Sequence, residues 1–423
     1  MALLSHVLCT LSQFFVLSGF TALLVSCSST PSPFTDFGHT DLGHIDQRID
    51  TSIDGHASPY DQNTAMVDQI PPLSAQPETL SAGGNHTCML DLQNALWCWG
   101  FNKYYQLGDN TTLEKHKPLK VDSSAAWYEI SSGHSHTCGL KTDRSLWCWG
   151  YNVDGEVGDG SWQTTPVPKA IAVGTSWSQV SGVLTHACGV KNDQTLWCWG
   201  WNYFGQLGDN SDIDQPAPVK IGTASNWKLV STGHSHTCGI LLDGSLWCWG
   251  SNLSGKLGDN TTESRLTPTK SSDGSNWRQV SAGDNHTCGI KQDKTLWCWG
   301  ENAHGQLGDN TKQPRQVPTQ IGNASDWATI SASHDHTCGI RGDETLWCWG
   351  DNSSGQIGEG SHDQKNSPTQ IDVGSKWKVI STGLSHTCGT KADQTLWCWG
   401  ANNHGQLGNE NLTDQPTPTP VSF

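Results

Sequence analysis

The sequence predicts an all-β fold, a seven-bladed β-propeller of four-stranded antiparallel blades preceded by a disordered tether. A unit ending in Cys-Trp-Gly recurs every 50 residues without insertion or deletion, its last glycine at positions 100, 150, 200, 250, 300, 350 and 400. Each unit contains four short β-prone runs separated by turn residues, with no helical period. These runs are apolar on both sides, so each sheet has to lie between two others, and a ring satisfies all of them.

The second unit illustrates the four predicted strands. Residues 127–133 form the first strand, and 136–140 and 145–149 form a hairpin around a polar turn at 141–144. Within the third strand, alternation puts Leu146 and Cys148 on one face and Trp147 and Trp149 on the other. A Gly/Asn/Asp-rich loop follows, and then the fourth strand at 168–171. Pro168 lacks a ladder donor, and each unit has a proline at this phase, so the fourth strand should be the outer edge.

Residues 77–423 hold the repeats, and two ways of closing the ring are open. In the first, each repeat is its own blade and the ring closes by packing alone. In the second, residues 66–70 add a strand to the last blade. We favour the first. An open solenoid is disfavoured because it would expose tryptophan faces at both ends, and no capping unit is visible.

Residues 1–26 are predicted to be a signal peptide, with an apolar run at 14–25 that is short for a membrane span. The run ends in a segment that resembles a bacterial lipobox, matched by Leu24, Ser26 and Cys27. We therefore expect lipidation at Cys27 and a membrane-anchored lipoprotein of a bacterial cell envelope. An ordinary cleaved signal peptide, giving a secreted protein, is the alternative.

Residues 27–76 are rich in Ser, Thr, Pro, Asp and His and form the predicted tether. A loose series there includes His39, His44 and His56, but its spacing fixes no metal geometry.

Fourteen cysteines lie in the repeats, two per unit and ten residues apart. They are predicted to form disulfides between adjacent strands, which points to an oxidising compartment. Reduced core thiols are one alternative, and a metal site formed by His136, Cys138 and Cys148 is another. The predicted pairs are Cys88–Cys98, Cys138–Cys148, Cys188–Cys198, Cys238–Cys248, Cys288–Cys298, Cys338–Cys348 and Cys388–Cys398.

The net charge of −16 argues against a nucleic acid as partner, since phosphate binding needs a basic face. The His and Asp residues are explained by their positions in the repeat, and no separate catalytic constellation, phosphate loop or cofactor motif is seen. We therefore predict no catalytic, metal or cofactor site. Asp/Asn-rich loops such as 257–261 lack the alternating carboxylates of a calcium loop and are read as turns.

The repeat motif resembles the RCC1 (regulator of chromosome condensation) repeat, in its bacterial exported form. The resemblance covers all seven units, about four-fifths of the chain, and it implies a seven-bladed propeller in which the repeat histidine ties one blade to the next. The family's founder is a nucleotide-exchange factor for a small GTPase, but its inserted wedge and basic tail are not seen here. The residues that match the motif in order are Gly233, His236, Trp249, Gly250, Asn252, Gly255, Leu257 and Gly258.

Function is expected where the units differ. One variable set is the pair before each repeat histidine, from Gly84-Asn85 to Leu384-Ser385, and it should ring one rim. The loops after Trp-Gly are richer in aromatic residues in units one to three, which predicts a one-sided contact patch. Neutral drift in solvent loops is the alternative. The predicted binding residues are Phe101, Tyr104, Tyr105, Tyr151, Trp162, Trp201, Tyr203 and Phe204.

The sequence therefore predicts a non-enzymatic, exported, monomeric propeller, a rigid platform that binds another protein or a cell-surface polymer through one rim. It would touch the membrane only through the lipid anchor. One alternative is an enzyme, a lyase or glycan hydrolase, with carboxylates converging from different blades around Asp284 and Asp335. Another is guanine-nucleotide exchange by analogy with the RCC1 founder.

Overall fold

The computed structural model describes residues 80–122, 127–273 and 275–423, which form 28 β-strands in seven four-stranded antiparallel sheets. The predicted seven-bladed propeller is confirmed. In every sheet the strands pair in chain order, so each repeat builds one blade. The predicted leader, Cys27 and the tether lie outside the described residues. Within the described ranges, no helix is long and apolar enough to serve as a membrane span.

The strands of the first four blades are β1 (Leu80–Ala82), β2 (His86–Leu90), β3 (Leu96–Gly100), β4 (Lys115–Asp122), β5 (Trp127–Ser132), β6 (His136–Lys141), β7 (Leu146–Gly150), β8 (Thr165–Ile171), β9 (Trp177–Val183), β10 (His186–Lys191), β11 (Leu196–Gly200), β12 (Gln215–Lys220), β13 (Trp227–Thr232), β14 (His236–Leu241), β15 (Leu246–Gly250) and β16 (Arg265–Lys270). Those of the last three are β17 (Trp277–Ala282), β18 (His286–Lys291), β19 (Leu296–Gly300), β20 (Arg315–Gln320), β21 (Trp327–Ala332), β22 (His336–Arg341), β23 (Leu346–Gly350), β24 (Lys365–Ile371), β25 (Trp377–Thr382), β26 (His386–Lys391), β27 (Leu396–Gly400) and β28 (Gln415–Pro420).

The first strand of each blade is the innermost. First strands contact one another in sequence around the ring, from β1 and β5 through to β25, which contacts β1 again. The fourth strand is therefore the outer edge, as its prolines predict. It begins earlier than expected: β8 runs from Thr165 to Ile171 and contains Pro166 as well as Pro168.

The two apolar faces of each sheet pack against different neighbours, as expected. Leu146 and Cys148 of blade 2 lie in one fully buried cluster with Trp177 and Trp199 of blade 3. The two tryptophan rings meet edge to face, with centroids 5.9 Å apart. The other tryptophan of the third strand stays half-buried, and in blade 3 Lys191 Nζ lies 3.6 Å from the Trp197 ring centroid.

Seven disulfides link the second and third strands, one in each blade, and they pair the cysteines as predicted. Cys138 and Cys148 are directly opposed in the register of β6 and β7, with Cα atoms 4.1 Å apart. All fourteen cysteines are fully buried. By the loop-entropy model, each closed loop contributes about 2–3 kcal/mol to the free energy of unfolding. Because these cysteines are disulfide-bonded, the structure assigns them to the scaffold and not to the alternative metal site.

A hydrogen-bonded clamp joins consecutive blades. His86 Nε2 of blade 1 lies 2.9 Å from Thr137 Oγ1 of blade 2. Thr137 Oγ1 and Trp149 Nε1 both donate to the Gln106 carbonyl of blade 1, at 2.8 and 3.0 Å. The hydroxyl has one proton and gives it to this carbonyl, so His86 must be the donor through Nε2. Burial lowers the pKa of His86 to about 3, so the ring is neutral at pH 7 with its proton on Nε2.

The same clamp closes the ring. His386 Nε2 of blade 7 lies 2.9 Å from Thr87 Oγ1 of blade 1, and Thr87 donates to the Gln406 carbonyl at 3.0 Å. Each repeat is thus its own blade, and the first and last blades pack directly. Residues 66–70, the extra strand of the alternative closure, lie outside the described residues. The other clamps, at 2.8–2.9 Å, are His186–Thr237, His236–Thr287, His286–Thr337 and His336–Thr387.

One interface lacks the clamp. Blade 3 has Ala187 where the other six blades have threonine. As a result, the buried Nε2 of His136 has no hydrogen-bond partner in the part of the chain that the structure describes. A buried polar group without a partner costs about 1–3 kcal/mol, so this interface is expected to be the weakest of the seven.

The clamp can be tested with two reciprocal substitutions. Thr237→Ala leaves His186 Nε2 buried and unpaired, and should lower the free energy of unfolding by about 1–3 kcal/mol. Ala187→Thr supplies the missing hydroxyl to His136 and should raise that free energy by about 1 kcal/mol. Guanidinium unfolding with the disulfides intact measures both values. If both variants unfold like the parent protein, the clamp does not stabilise the ring.

Candidate functional site

Two loops meet at the same end of every blade. We call the turn between the first and second strands the inner turn, the connection between the third and fourth strands the outer loop, and the ring of both the loop face. In blade 1 the amide of Phe101 donates to the Asn85 carbonyl at 2.8 Å. Gly100 permits this approach: its φ is +99°, and a Cβ there would lie 2.6 Å from that carbonyl oxygen. The two sets of variable residues therefore share one surface.

The outer loop is held rigid by side chains that the repeats share. In blade 3, Asn202 Oδ1 accepts the Leu207 amide at 2.9 Å, and its Nδ2 donates to the Ser211 and Ile213 carbonyls at 3.1 Å each. Gln206 Oε1 accepts the Phe204 amide at 3.0 Å. Positions one, three and four of the loop then carry the variable side chains on a fixed frame.

The loop of blade 3 presents one aromatic cluster. Trp201 and Tyr203 have nearly parallel rings, with centroids 6.2 Å apart, and Phe204 meets each of them edge to face at 5.5 and 5.0 Å. His234, from the inner turn of blade 4, stacks on Trp201 at 6.0 Å. Tyr203 is 67% exposed. We call these four residues the Trp201 cluster.

A second aromatic cluster spans blades 7, 1 and 2. Tyr104 lies 4.9 Å from Tyr151 and 6.1 Å from Phe101, measured between ring centroids. The His404 ring of blade 7 lies 4.6 Å from the Phe101 ring, and its Nδ1 donates to Glu114 Oε1 at 2.8 Å. All four rings are half-buried. We call Phe101, Tyr104, Tyr151 and His404 the Tyr104 cluster.

The opposite half of the loop face is charged. His334 lies between two carboxylates, with Nε2 3.5 Å from Asp284 Oδ2 and Nδ1 3.0 Å from Asp335 Oδ2. The pKa of Asp284 is raised to about 6, chiefly by burial; the charge of Asp335 also raises it, whereas His334 and Lys256 lower it. The carboxylates named for the enzyme alternative do converge. The adjoining cavity at the ring axis, however, measures about 40 Å³, room for about one water molecule and not for a sugar.

Comparison with known families identifies this architecture. A family model described as the RCC1-like domain matches residues 129–423, more than half of the chain. The protein belongs to the RCC1-like domain family. Two models of the regulator of chromosome condensation (RCC1) repeat also match, over residues 93–140 and 78–106. The predicted family is therefore confirmed. A comparison with curated protein sequences finds no match.

Solved structures share the RCC1-like fold. Prp20p from Saccharomyces cerevisiae, described with its binding to Gsp1p and histones, is 20% identical over 79% of this chain and 87% of its own, with a TM-score of 0.71. A chain in the structure of Kap60 bound to yeast RCC1 (Prp20) is 18% identical over 90% and 91%, with a TM-score of 0.72. Human WBSCR16 is 18% identical over 77% and 93%, with a TM-score of 0.70. At these identities the likeness shows the fold alone.

The RCC1-like ring places the eight predicted binding residues on the loop face, but not all together. Six of them belong to the two aromatic clusters. Tyr105 is half-buried with a φ of +64°, and Trp162 is 45% exposed further along the outer loop of blade 2. Neither has a ring contact with the clusters among the described residues. His234 and His404 complete the clusters. His234 belongs to the variable pairs before the repeat histidines but not to the eight predicted binding residues, and His404 was missed, because the sequence does not show which inner turn faces which outer loop.

Two buried charges beneath the RCC1-like loop face were also missed. Five outer loops carry glutamine at their sixth position, whereas blade 2 has Glu156 and blade 4 has Lys256, each 1% exposed. Lys256 Nζ donates to Ser235 Oγ, the Asp284 carbonyl and Asn285 Oδ1 at 2.8, 3.1 and 3.0 Å. Comparing the units at this one position would have found both residues. Among the described residues, no group of three or more His, Cys, Asp and Glu side chains suits a metal ion.

Proposed function

We propose that this protein is an exported, lipid-anchored propeller that binds a partner protein through the aromatic half of its loop face. The observation that carries the proposal is the Trp201 cluster, in which Tyr203 is 67% exposed on a hydrogen-bonded loop. Interfaces are enriched in Trp and Tyr, and a few such side chains supply most of the binding energy. A fixed loop loses little conformational entropy when it binds.

The fold supports the choice of a protein as partner. An RCC1-like propeller suggests a protein-binding platform, and the similar yeast structure is described with its binding to Gsp1p and histones. At 20% identity, a shared fold does not show that this chain binds the same partners. The contact surface proposed here rests on residues in which the blades differ, and a cell-surface polymer is the alternative ligand.

The proposed location rests on the disulfides and the leader. Seven buried disulfides suggest an extracellular protein, because cytosolic reductants keep thiols reduced. The lipobox-like Leu24, Ser26 and Cys27 support a lipid anchor that would hold the ring at a membrane surface through the tether. One propeller per anchor, acting as a monomer, is the simplest form of this arrangement.

Site-specific photo-crosslinking in the host cell tests the proposed surface. Tyr203→benzoylphenylalanine should give an adduct with one protein, because the cross-linker replaces the exposed ring of the Trp201 cluster. Ser353→benzoylphenylalanine, at the equivalent exposed position of blade 6, is the matched control and should give none. Adding Trp201→Ala to the first variant should weaken the contact by about 2 kcal/mol and remove most of the adduct. Equal adducts at both positions, or no adduct at either, would contradict the claim that the Trp201 cluster is the binding surface. An adduct with a glycan at position 203 would establish the polymer alternative.

The anchor is tested by fractionation and intact mass. The parent protein should sediment with membranes and carry a lipid on an amino-terminal Cys27. Cys27→Ser should move to the soluble exported fraction, whereas Cys9→Ser, a control within the leader, should behave as the parent. A Cys27→Ser protein that still sediments with membranes would rule the anchor out.

A further inference from the structure

Three carboxyl side chains come together where the outer loop of blade 2 packs against blade 3. Gly155 of blade 2 packs against the start of the outer strand of blade 3, where a Cβ on Gly155 would lie 2.7 Å from Pro216 Cα. This contact brings Asp154 and Glu156 next to Asp214. The amide of Asp154 donates to Glu156 Oε2 at 3.0 Å, and Asp214 Oδ1 accepts the Asn202 amide at 2.7 Å.

Two aromatic residues lie next to this carboxyl group. Tyr151 starts the loop that carries Asp154 and Glu156, and burial and then the charges of Glu156 and Asp154 raise the pKa of Tyr151. The Tyr151 ring also contacts Tyr104. Asn202, whose amide donates to Asp214, directly follows Trp201. The carboxyl group therefore lies beside Tyr151 of the Tyr104 cluster and close to the backbone of Trp201.

The three carboxyl groups repel one another in the free protein. The pKa of Glu156 is raised to about 7, chiefly by burial and also by the charges of Asp154 and Asp214, while hydrogen bonds from backbone amides oppose the rise. Burial and then Asp214 also raise the pKa of Asp154. Among the described residues, no Lys, Arg or His forms an ion pair with any of the three. Lys103 Nζ lies 5.8 Å from the centroid of the Tyr104 ring.

We propose that this site binds an arginine side chain of the partner protein. The inference deepens the proposed function, on which it rests, by naming the chemistry of the partner at the contact. A guanidinium group pairs with carboxylates through several N–H donors and stacks on aromatic rings with its flat face. Asp154 and Asp214, both half-buried, offer the carboxylates, and a cation paired with them would relieve their repulsion with the buried Glu156. The net charge of −16 would also favour a basic partner.

The chain itself supplies neutral substitutes that fit the fold. Blade 4 has Ser254 at the position of Asp154, and five blades have glutamine at the position of Glu156. The double variant Asp154→Ser, Glu156→Gln therefore removes two carboxyl groups without placing an unfamiliar residue in the loop. The matched control Glu301→Ala, Asp351→Ser removes two carboxyl groups elsewhere on the loop face, and Ala401 and Ser251 occupy the equivalent positions of other blades.

The test is a binding measurement on the full propeller with defined peptides. A blocked hexapeptide that alternates glycine and arginine should bind at low ionic strength, and the same peptide with citrulline, an uncharged isostere of arginine, should not. Asp154→Ser, Glu156→Gln should weaken arginine-peptide binding about tenfold, while the control double variant should bind as the parent does. Unfolding curves of both variants establish that the fold is intact.

The results that would overturn the arginine site differ from those that would overturn the proposed function. No preference for arginine over citrulline, whether both peptides bind or neither does, overturns the arginine site. So does an equal loss in the two double variants, which would reflect net charge alone. With either of these results, a protein adduct at position 203 would still support the proposed binding surface. Arginine binding that depends on Asp154 and Glu156 without any adduct at position 203 would overturn the proposed surface instead.

Discussion

The structure depends on sheets that are apolar on both faces. Leu146 and Cys148 on one side and Trp149 on the other are fully buried, so no blade is stable without two neighbours. At six of the seven interfaces, the histidine Nε2 and the threonine hydroxyl are satisfied across the blade boundary by the histidine, threonine and carbonyl clamp. Seven repeats of equal length meet both requirements only when the last blade packs on the first, and the His386–Thr87 contact shows that it does.

Because the seven blades are nearly identical, residues that differ between blades occur at only a few positions. Strands, disulfides and clamps recur from blade to blade, because each substitution there would disturb an interface. The loop face tolerates variation, since its frame is built from shared Asn, Gln and Gly residues and several of its variable side chains are exposed. Three departures that are buried lie beneath this face: Ala187 removes a clamp partner, whereas Glu156 and Lys256 bring charge to a position that is otherwise glutamine. The asymmetry needed for specific binding is therefore concentrated at one end of the ring.

Periodicity allowed most of the fold to be predicted, because a repeat exposes the local pattern seven times. The strand predicted at 136–140 is observed as His136–Lys141, and that at 145–149 as Leu146–Gly150. The fourth strand was predicted too short, since Thr165 still pairs with Gly150 across a bulge that holds Pro166 and Pro168. The site was predicted less fully. His334 approaches Asp284, and Asp214 approaches Glu156, because neighbouring blades pack together. The members of these two pairs are 50 and 58 positions apart in the sequence, so no local pattern shows the contacts. Residue type alone also gave no sign that Glu156 would be buried.

The central claim is that the partner covers the aromatic half of the loop face. Hydroxyl-radical footprinting of the protein, in intact host cells and after purification, measures this directly through oxidation of exposed side chains. The account predicts that Trp201 and Tyr203 are oxidised less in cells than in the purified protein. Trp297, half-buried near the hairpin end of blade 5 and away from the loop face, should react equally in both. Equal oxidation of Tyr203 in the two samples, or protection of Trp297 instead, would contradict the claim that this face is the binding surface.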